Sequence, residues 1–267
     1  MLWESPFVNN TLQVPSKEIT TQWINQLKLI SEKTHLDYID IIIDQAGLEN
    51  PIVPALIKMD NEIRWFSLFT NMPEEGFLEQ APLLIRIEWN KSTHLILIEE
   101  LFELLYSEPR LLITSSPLSF NMLSTFLLSL AEVEWGFKSC LLRFYDTRVF
   151  PTLVNNILTS EQQKRFTDIT FIWGWLDRDN DMSWLLGSYH PEIEDKSFPI
   201  MQFNDAQINK IGCISDAEEL RSYSEFNNTS ITQEENFNYL YNLAIQANNS
   251  DHLGTVEEYI RKHSFNN

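Results

Sequence analysis

Between residues 36 and 190, short apolar runs alternate with segments of helical periodicity, and this alternation constrains the fold more than any other feature. The apolar runs have the length of strands, and the intervening segments place apolar residues three and four positions apart. The runs predict strands at 38–43, 83–89, 110–114, 140–145, 169–175 and 184–189, with 65–69 as either a short strand or an apolar turn. We therefore predict an α/β (α+β) fold with a mixed, mostly buried sheet.

The pattern changes past Pro191, where strand signals fade and helical periodicity takes over. N-caps of helices are predicted at Asn204 or Asp205, at Ser215 and at Thr232, the last two followed by a glutamate three residues on. The sequence thus predicts two units, an α/β domain at 1–190 and a smaller all-helical C-terminal lobe at 191–267.

The charged residues of two predicted strands bear on burial and on catalysis. The strand from Leu83 to Trp89 alternates apolar residues with Arg86 and Glu88, which predicts that one face is exposed. Asp40 and Asp44 are four residues apart in the first strand, so they share a face at a separation of ~13 Å. Two carboxylates that cooperate at one reacting bond lie closer than this, so a structural role is favoured over acid–base catalysis.

The segment 141–150 breaks an apolar run with two arginines, an aspartate and a tyrosine, and Val149 begins a segment of helical spacing. It predicts a buried strand that ends in charge at a strand-to-helix corner. Charges at such a corner pair with each other, bind a ligand or fix a loop, and the sequence leaves these roles open. We expect Asp44 to meet the corner arginines, because carboxyl ends of neighbouring parallel strands converge.

The corner also carries a family resemblance. Arg143-Phe144-Tyr145-Asp146-x-Arg148-Val149, with Phe171-x-Trp173 after it, resembles the central signature of the bacterial type VI secretion effector adaptors, also called effector chaperones. Ile42–Ala46, Trp65–Phe69 and Ala81–Ile85 resemble further motifs of that family in the same order, so the resemblance covers roughly 37–186. Thr147 stands where the family usually has proline, and we expect a softer corner for that reason. The candidate site residues, as structural or partner-binding positions of the motif, are Asp44, Arg143, Tyr145, Asp146, Arg148 and Trp173.

The resemblance implies a non-enzymatic adaptor in the bacterial cytoplasm. Such a protein binds the N-terminal region of a cognate toxic effector and loads it onto the VgrG spike for export, so the expected partners are the effector and VgrG. Two alternatives stay open. One is an immunity protein that neutralises a basic toxin, which strong acidity also suits, and the other is a hydrolase of unrecognised type that uses Asp44 or Asp146.

The acidity of the chain excludes some partners. A net charge of −19 and a pI near 4.6 argue against nucleic acid, because that affinity rests on neutralising phosphates with Lys and Arg. No window approaches the ~18 uninterrupted apolar residues of a membrane span. The segment Met1 to Pro6 lacks the basic start of a signal peptide, so a cytoplasmic protein without membrane insertion is expected.

The motifs of catalysis and of metal or cofactor binding are absent from the sequence. The five histidines are scattered, and Cys140 and Cys213 have no CxxC partner and are flanked by apolar residues, which predicts two buried thiols. Gly-rich phosphate loops are missing. The acidic run 177–181 lacks the glycine of a calcium loop and is interpreted as a polar hairpin connection. We therefore predict no enzyme, no cofactor and no metal.

Overall fold

The computed structural model describes residues 15–59, 62–106, 108–196, 198–250 and 252–264. Met1 to Pro6, on which the expectation about a signal peptide rests, lie outside the described residues. The helices are α1 (Lys17–Thr34), α2 (Val53–Lys58), α3 (Ser92–Leu104), α4 (Phe120–Ala131), α5 (Phe150–Thr152, continued by a π-turn at Leu153–Ile157), α6 (Ser160–Thr167), α7 (Asp205–Ser222), α8 (Gln233–Asn248) and α9 (Val256–Ser264). The strands are β1 (Tyr38–Asp44), β2 (Arg64–Ser67), β3 (Pro82–Glu88), β4 (Leu111–Ser115), β5 (Glu132–Trp135), β6 (Lys138–Leu141), β7 (Ile172–Leu176), β8 (Met182–Leu186) and β9 (Met201–Phe203). Within the described ranges, no helix combines the length and the apolar character that crossing a membrane requires.

Six strands form the main sheet, in the order β2-β3-β1-β4-β7-β8. Every neighbouring pair in it is antiparallel, so the predicted α+β fold class is confirmed, although this sheet is antiparallel throughout rather than mixed. The helical crossover that suggested parallel strands does exist, because α3 connects β3 to β4 and these two strands run the same way. However, β1 lies between them and runs the other way. A second sheet, β6-β5-β9, contains the parallel pair β5–β9.

Apolar side chains cover both faces of the main sheet. Ile39, Ile41 and Ile43 of β1 point into a cluster with the buried sides of α1 and α3. Ile42 points the other way, into a larger cluster that also contains the buried residues of α4, α7 and α8. Because strand side chains alternate between faces, Asp40 and Asp44 share the face of Ile42.

β3 is buried on both faces, contrary to the prediction of a half-exposed strand. Arg86 retains 4% exposure because its Nε and Nη2 donate to the two carboxylate oxygens of Asp40, at 2.8 and 2.7 Å, and its guanidinium stacks over the ring of Tyr38 at 3.7 Å. Burial raises the pKa of Asp40 to about 6 despite this pairing. Burial alone would lower the pKa of Arg86, but its bonds to Asp40 leave that pKa raised.

The C-terminal helices begin largely where their caps predict. Asn204 and Thr232 each cap a helix through a capping box. Ser215 does not cap a helix, because α7 runs continuously past it and Glu218 pairs with an arginine instead. Apart from β9, the regular elements described within 191–267 are helices, and the division of this region from 1–190 as a separate unit stays a prediction.

The strand predicted at 140–145 ends earlier than expected. β6 stops at Leu141 and forms an edge of the small sheet, where it is half-exposed rather than buried. Cys140 is therefore partly exposed, contrary to the prediction of two buried thiols. Cys213 is buried in α7, and burial raises the pKa of its thiol, as expected for an unreactive cysteine.

Candidate protein-binding site

The signature segment 142–150 forms a turn that leads into the start of α5. We call these nine residues the charged corner. Three aromatic side chains fix it to the core, because Phe144, Tyr145 and Phe150 each retain 1% exposure or less. The ring of Phe150 lies 5.2 Å from that of Trp173 on β7, and Phe144 meets Tyr145 edge-on at 5.5 Å. The apolar residues of the signature thus anchor the corner and leave its arginines at the surface.

Arg143 reaches the end of β1. Its Nη2 donates to Oδ2 of Asp44 at 2.5 Å, so the predicted contact is confirmed, although β1 and its neighbours are antiparallel and the corner itself carries the arginine to the aspartate. Asp44 is buried, and the Arg143 side chain is 47% exposed. Burial opposes the charge of Arg143, but Asp44 more than offsets this and leaves the pKa of the guanidinium raised.

Arg148 pairs within the corner. Its Nε and Nη2 donate to the two oxygens of Asp146 at 3.0 and 2.6 Å, and its backbone N–H also donates to Oδ1. The arginines therefore form two separate ion pairs. The backbone N–H of Thr147 donates to the carbonyl of Pro109, at 3.3 Å, a bond that proline at this position could not make. At the position where a softer corner was expected, the corner is therefore hydrogen-bonded to the loop before β4.

Tyr145 and Trp173 are core residues. Burial, reinforced by the charge of Asp44, raises the pKa of the Tyr145 phenol. Trp173 has no exposed surface, and its indole N–H donates to the carbonyl of Phe166 at 2.9 Å. Of the six candidate residues, only Arg143 and Arg148 offer substantial surface to a partner, and whether they do so stays a prediction.

The hairpin between β7 and β8 adjoins the corner. Oδ1 of Asp177 accepts from the backbone N–H groups of Asp179 and Asp181, which closes a tight turn with Asn180 at a φ of 64°. Arg178 projects from this turn and its Nη2 donates to the backbone carbonyl of Arg148 at 2.9 Å. The hairpin and the signature are therefore parts of one surface.

Arg178 also holds two C-terminal helices. Its Nε donates to Glu218 of α7 at 2.7 Å, and its Nη1 donates to Glu234 of α8 at 2.8 Å. The guanidinium lies 3.4 Å from the centre of the Phe237 ring. A single side chain, itself only 6% exposed, thus joins the β7–β8 turn to the corner, to α7 and to α8.

Asp179 caps α8 from outside the helix. Its two oxygens accept from the backbone N–H groups of Gln233 and Glu234, at 2.8 and 3.1 Å, in addition to the helix's own cap. Sequence reasoning tested the run 177–181 for calcium binding and missed this function. The sequence does show an arginine between acidic residues in a predicted turn, but the glutamates that it binds in α7 and α8 lie 40 to 56 residues away.

A groove lies on the other side of the same hairpin, between it and α1. Its volume is about 600 Å³. It is lined by Ile19, Gln22, Trp23, Gln26, Leu29, Ile30, Tyr106, Asp179, Asn180, Asp181, Met182 and Trp184. Seven of these twelve residues are apolar or aromatic and five are polar, including two aspartates, and none is a lysine or an arginine. A groove that offers both apolar and polar side chains suits binding of a peptide segment.

Several buried ionisable groups of the described residues, such as Asp40 and His94, are engaged in structural contacts. No three His, Cys, Asp or Glu side chains there are grouped so as to hold a metal ion. Buried His94 accepts from the N–H of Glu88 through Nδ1 and contacts the Glu62 carbonyl through Nε2, at 2.9 and 2.7 Å. The charged corner, the hairpin and the groove offer paired charges and apolar surface, which are features of protein contacts.

The fold is α+β with a helical C-terminal region, and the charged corner and the groove adjoin the same hairpin. Residues 41–165 match the family model described as "Domain of unknown function (DUF4123)". The match covers somewhat less than half of the 267 residues and falls inside the range 37–186 of the sequence resemblance. No curated protein and no solved structure matches the chain.

Proposed function

We propose that this protein is a non-enzymatic adaptor of the bacterial type VI secretion system. It binds a cognate effector in the cytoplasm, through the effector's N-terminal region, and loads it onto the VgrG spike for export. The observation that carries the proposal is the match of residues 41–165 to a domain family associated with effector adaptors of this system.

The structure supports the proposal through its surface. The arginines of the charged corner each bind a buried carboxylate and keep close to half of the side chain exposed, at 47% and 44%. Pairing of this kind holds a guanidinium in a fixed position for a second contact, because its planar fork has five donors. The nearby groove adds apolar area, which supplies most of the affinity in protein contacts.

Co-purification from the native host tests the proposal. The tagged protein is isolated at low and at moderate salt, and bound proteins are identified by mass spectrometry. An adaptor brings down an effector together with a spike protein. Recovery of no secretion component would overturn the proposal, and a lone toxin would replace it with the immunity function, which the net charge of −19 favours for a basic target.

A variant pair tests whether the charged corner contacts a partner. We expect Arg143→Ala with Arg148→Ala to reduce recovery of a partner, because the exposed guanidinium surface is lost. Arg64→Ala is the matched control, since Arg64 is also exposed and paired with a single glutamate but lies on β2. Circular dichroism melting shows whether each variant is folded. Unchanged recovery with the folded double variant would assign the corner a structural role alone.

A further inference from the structure

The outer edge of β8 is open. β8 pairs with β7 on one side and is the last strand of the sheet. Two backbone hydrogen bonds, from Asp177 N–H to Asp181 O and from Gly187 N–H to Phe171 O, show which residues of β8 bond to β7. In an antiparallel pair, every other residue points its backbone groups towards the partner strand, and the residues between point theirs away. By this alternation, the backbone groups of Met182, Trp184 and Leu186 point away from β7. Within the described part of the chain, no residue pairs with them as a further strand.

This edge lacks the features that usually prevent strand addition. Such features are charged side chains, proline, bulges and very short strands. β8 has the sequence Met-Ser-Trp-Leu-Leu, with neither charge nor proline, and it pairs along all five residues. The opposite edge, β2, has four residues and begins with exposed Arg64.

The groove lies directly against the open edge. Met182 and Trp184 of β8 form part of its lining, together with Trp23 and Leu29 of α1. The ring of Trp184 occupies the space above Gly174 on β7, where an added Cβ would collide with it. A strand placed beside β8 would therefore have backbone partners along β8 and apolar contacts with alternate side chains.

The acidic residues of the groove lining favour a basic segment. Asp181 is exposed, and no described residue forms an ion pair with its carboxylate. Asp179 already caps α8, so it adds negative charge while its oxygens remain bonded. The groove lining contains no cation that would compensate these two charges.

We propose that the β8 edge binds an extended segment of a partner protein as a seventh strand, with alternate apolar side chains in the groove and lysine or arginine next to Asp181. The inference rests on the proposed function in one respect, namely that the partner is the exported cargo. Five paired residues at ~3.4 Å each make a contact about 17 Å long, so a segment of five to seven residues suffices.

A synthetic nine-residue peptide of alternating valine and lysine, labelled with fluorescein, is the first probe. Its binding to the full-length protein is measured by fluorescence anisotropy at low and moderate salt. A second probe carries N-methyl groups on every other residue, which removes the donors of one edge, and a third replaces lysine with glutamate. We expect saturable binding of the first probe, and a loss of about tenfold or more in affinity for each of the other two.

Two variants locate the site. Met182→Pro removes an outward N–H without affecting a bond to β7, because that group does not point into the ladder. We expect it to weaken the first probe by about three- to tenfold, while Met182→Ala has a smaller effect. Asp181→Asn should weaken binding by about threefold at low salt, and Glu79→Gln, an exposed acid outside the groove lining, should leave it unchanged.

Several results would overturn the inference. The first is no binding of the first probe at millimolar concentration, and the second is equal binding of the N-methylated probe. Tighter binding of a helical peptide of the same composition would show that the site does not take a strand. Self-association of the protein that Met182→Pro abolishes would assign the edge to a second copy of this chain. Co-purification from the host separates this outcome from the proposed function. If wild type and Met182→Pro recover the same effector equally, the adaptor function stands and the β8 site is wrong.

Discussion

Replacing Arg178 with methionine tests how the β7–β8 hairpin holds the helical region. Methionine keeps a long apolar side chain over Phe237 but removes the charge and four hydrogen bonds. Arg178 is 6% exposed, while Glu218 and Glu234 are 17% and 33% exposed, so the acids reach water once the arginine is gone.

The expected loss follows from these exposures. Breaking a fully buried ion pair costs about 3–5 kcal/mol, and partial solvation of the acids reduces this value. Glu218 also keeps Arg221 as a neighbour at 3.5 Å. We expect Arg178→Met to lower the free energy of unfolding by about 2–3 kcal/mol. Arg178→Lys should lose less, because its point charge still reaches one acid.

Urea unfolding measures the total effect, and hydrogen exchange read by mass spectrometry shows where it falls. Amides of α8 should exchange faster in Arg178→Met, while those of β1 change little. Arg261→Met is the matched control, because Arg261 also binds two glutamates but lies at the surface, so no measurable change is expected. An Arg178→Met protein as stable as wild type, with unchanged exchange in α8, would refute the reasoning.

Two further predictions concern the sheet. Gly174→Ala should lower the free energy of unfolding by about 1–3 kcal/mol, because the new Cβ meets the ring of Trp184. Gly212→Ala, at an open position within α7, should raise the free energy of unfolding by about 0.5–1 kcal/mol. Urea unfolding measures both variants, and a similar response at the two glycines would contradict the proposed clash at Gly174. The double variant Asp40→Leu with Arg86→Met should be as stable as wild type at pH 7, or more stable by up to about 4 kcal/mol. The reason is that an apolar pair avoids the cost of removing two charges from water. Burial raises the pKa of Asp40 from 3.8 to about 6, so between these two pH values the folded wild type binds a proton that the unfolded chain does not. This proton uptake stabilises the folded wild type as the pH falls. The stability advantage of the double variant should therefore shrink towards pH 4. A loss of stability in the double variant at pH 7 would contradict this prediction.

Periodicity predicted most elements of the fold, because each strand or helix is encoded by local spacing. β1 and the starts of α7 and α8 lie where apolar spacing and caps predict them. Strand direction is not local. α3 does carry the chain from β3 to a parallel strand, but the insertion of β1 between them depends on pairings across the whole sheet. The burial of Arg86 was missed for the same reason, since alternation shows a polar face and cannot show the partner that covers it.

The candidate site was predictable where motif and chemistry coincided. The contact of Asp44 with Arg143 follows from two charges at the ends of apolar segments, and it is present, though the strand geometry that motivated it is not. The partners of Arg178 were not predictable, because the residue lies in a run that is polar throughout. The groove could not be predicted either, since α1 and β8 are over 140 residues apart in the sequence.

The double capping of α8 has a consequence for how this chain can be altered. The first turn of α8 is held both by Thr232 and by Asp179, from a distant part of the chain. The loop 223–231 therefore does not set the register of the helix, and most of it is exposed. A reporter sequence inserted between Asn228 and Thr229 should leave the helix in place, because lengthening a surface loop costs little. This loop offers a position for a fluorophore or an epitope that reports on the protein without disturbing the hairpin.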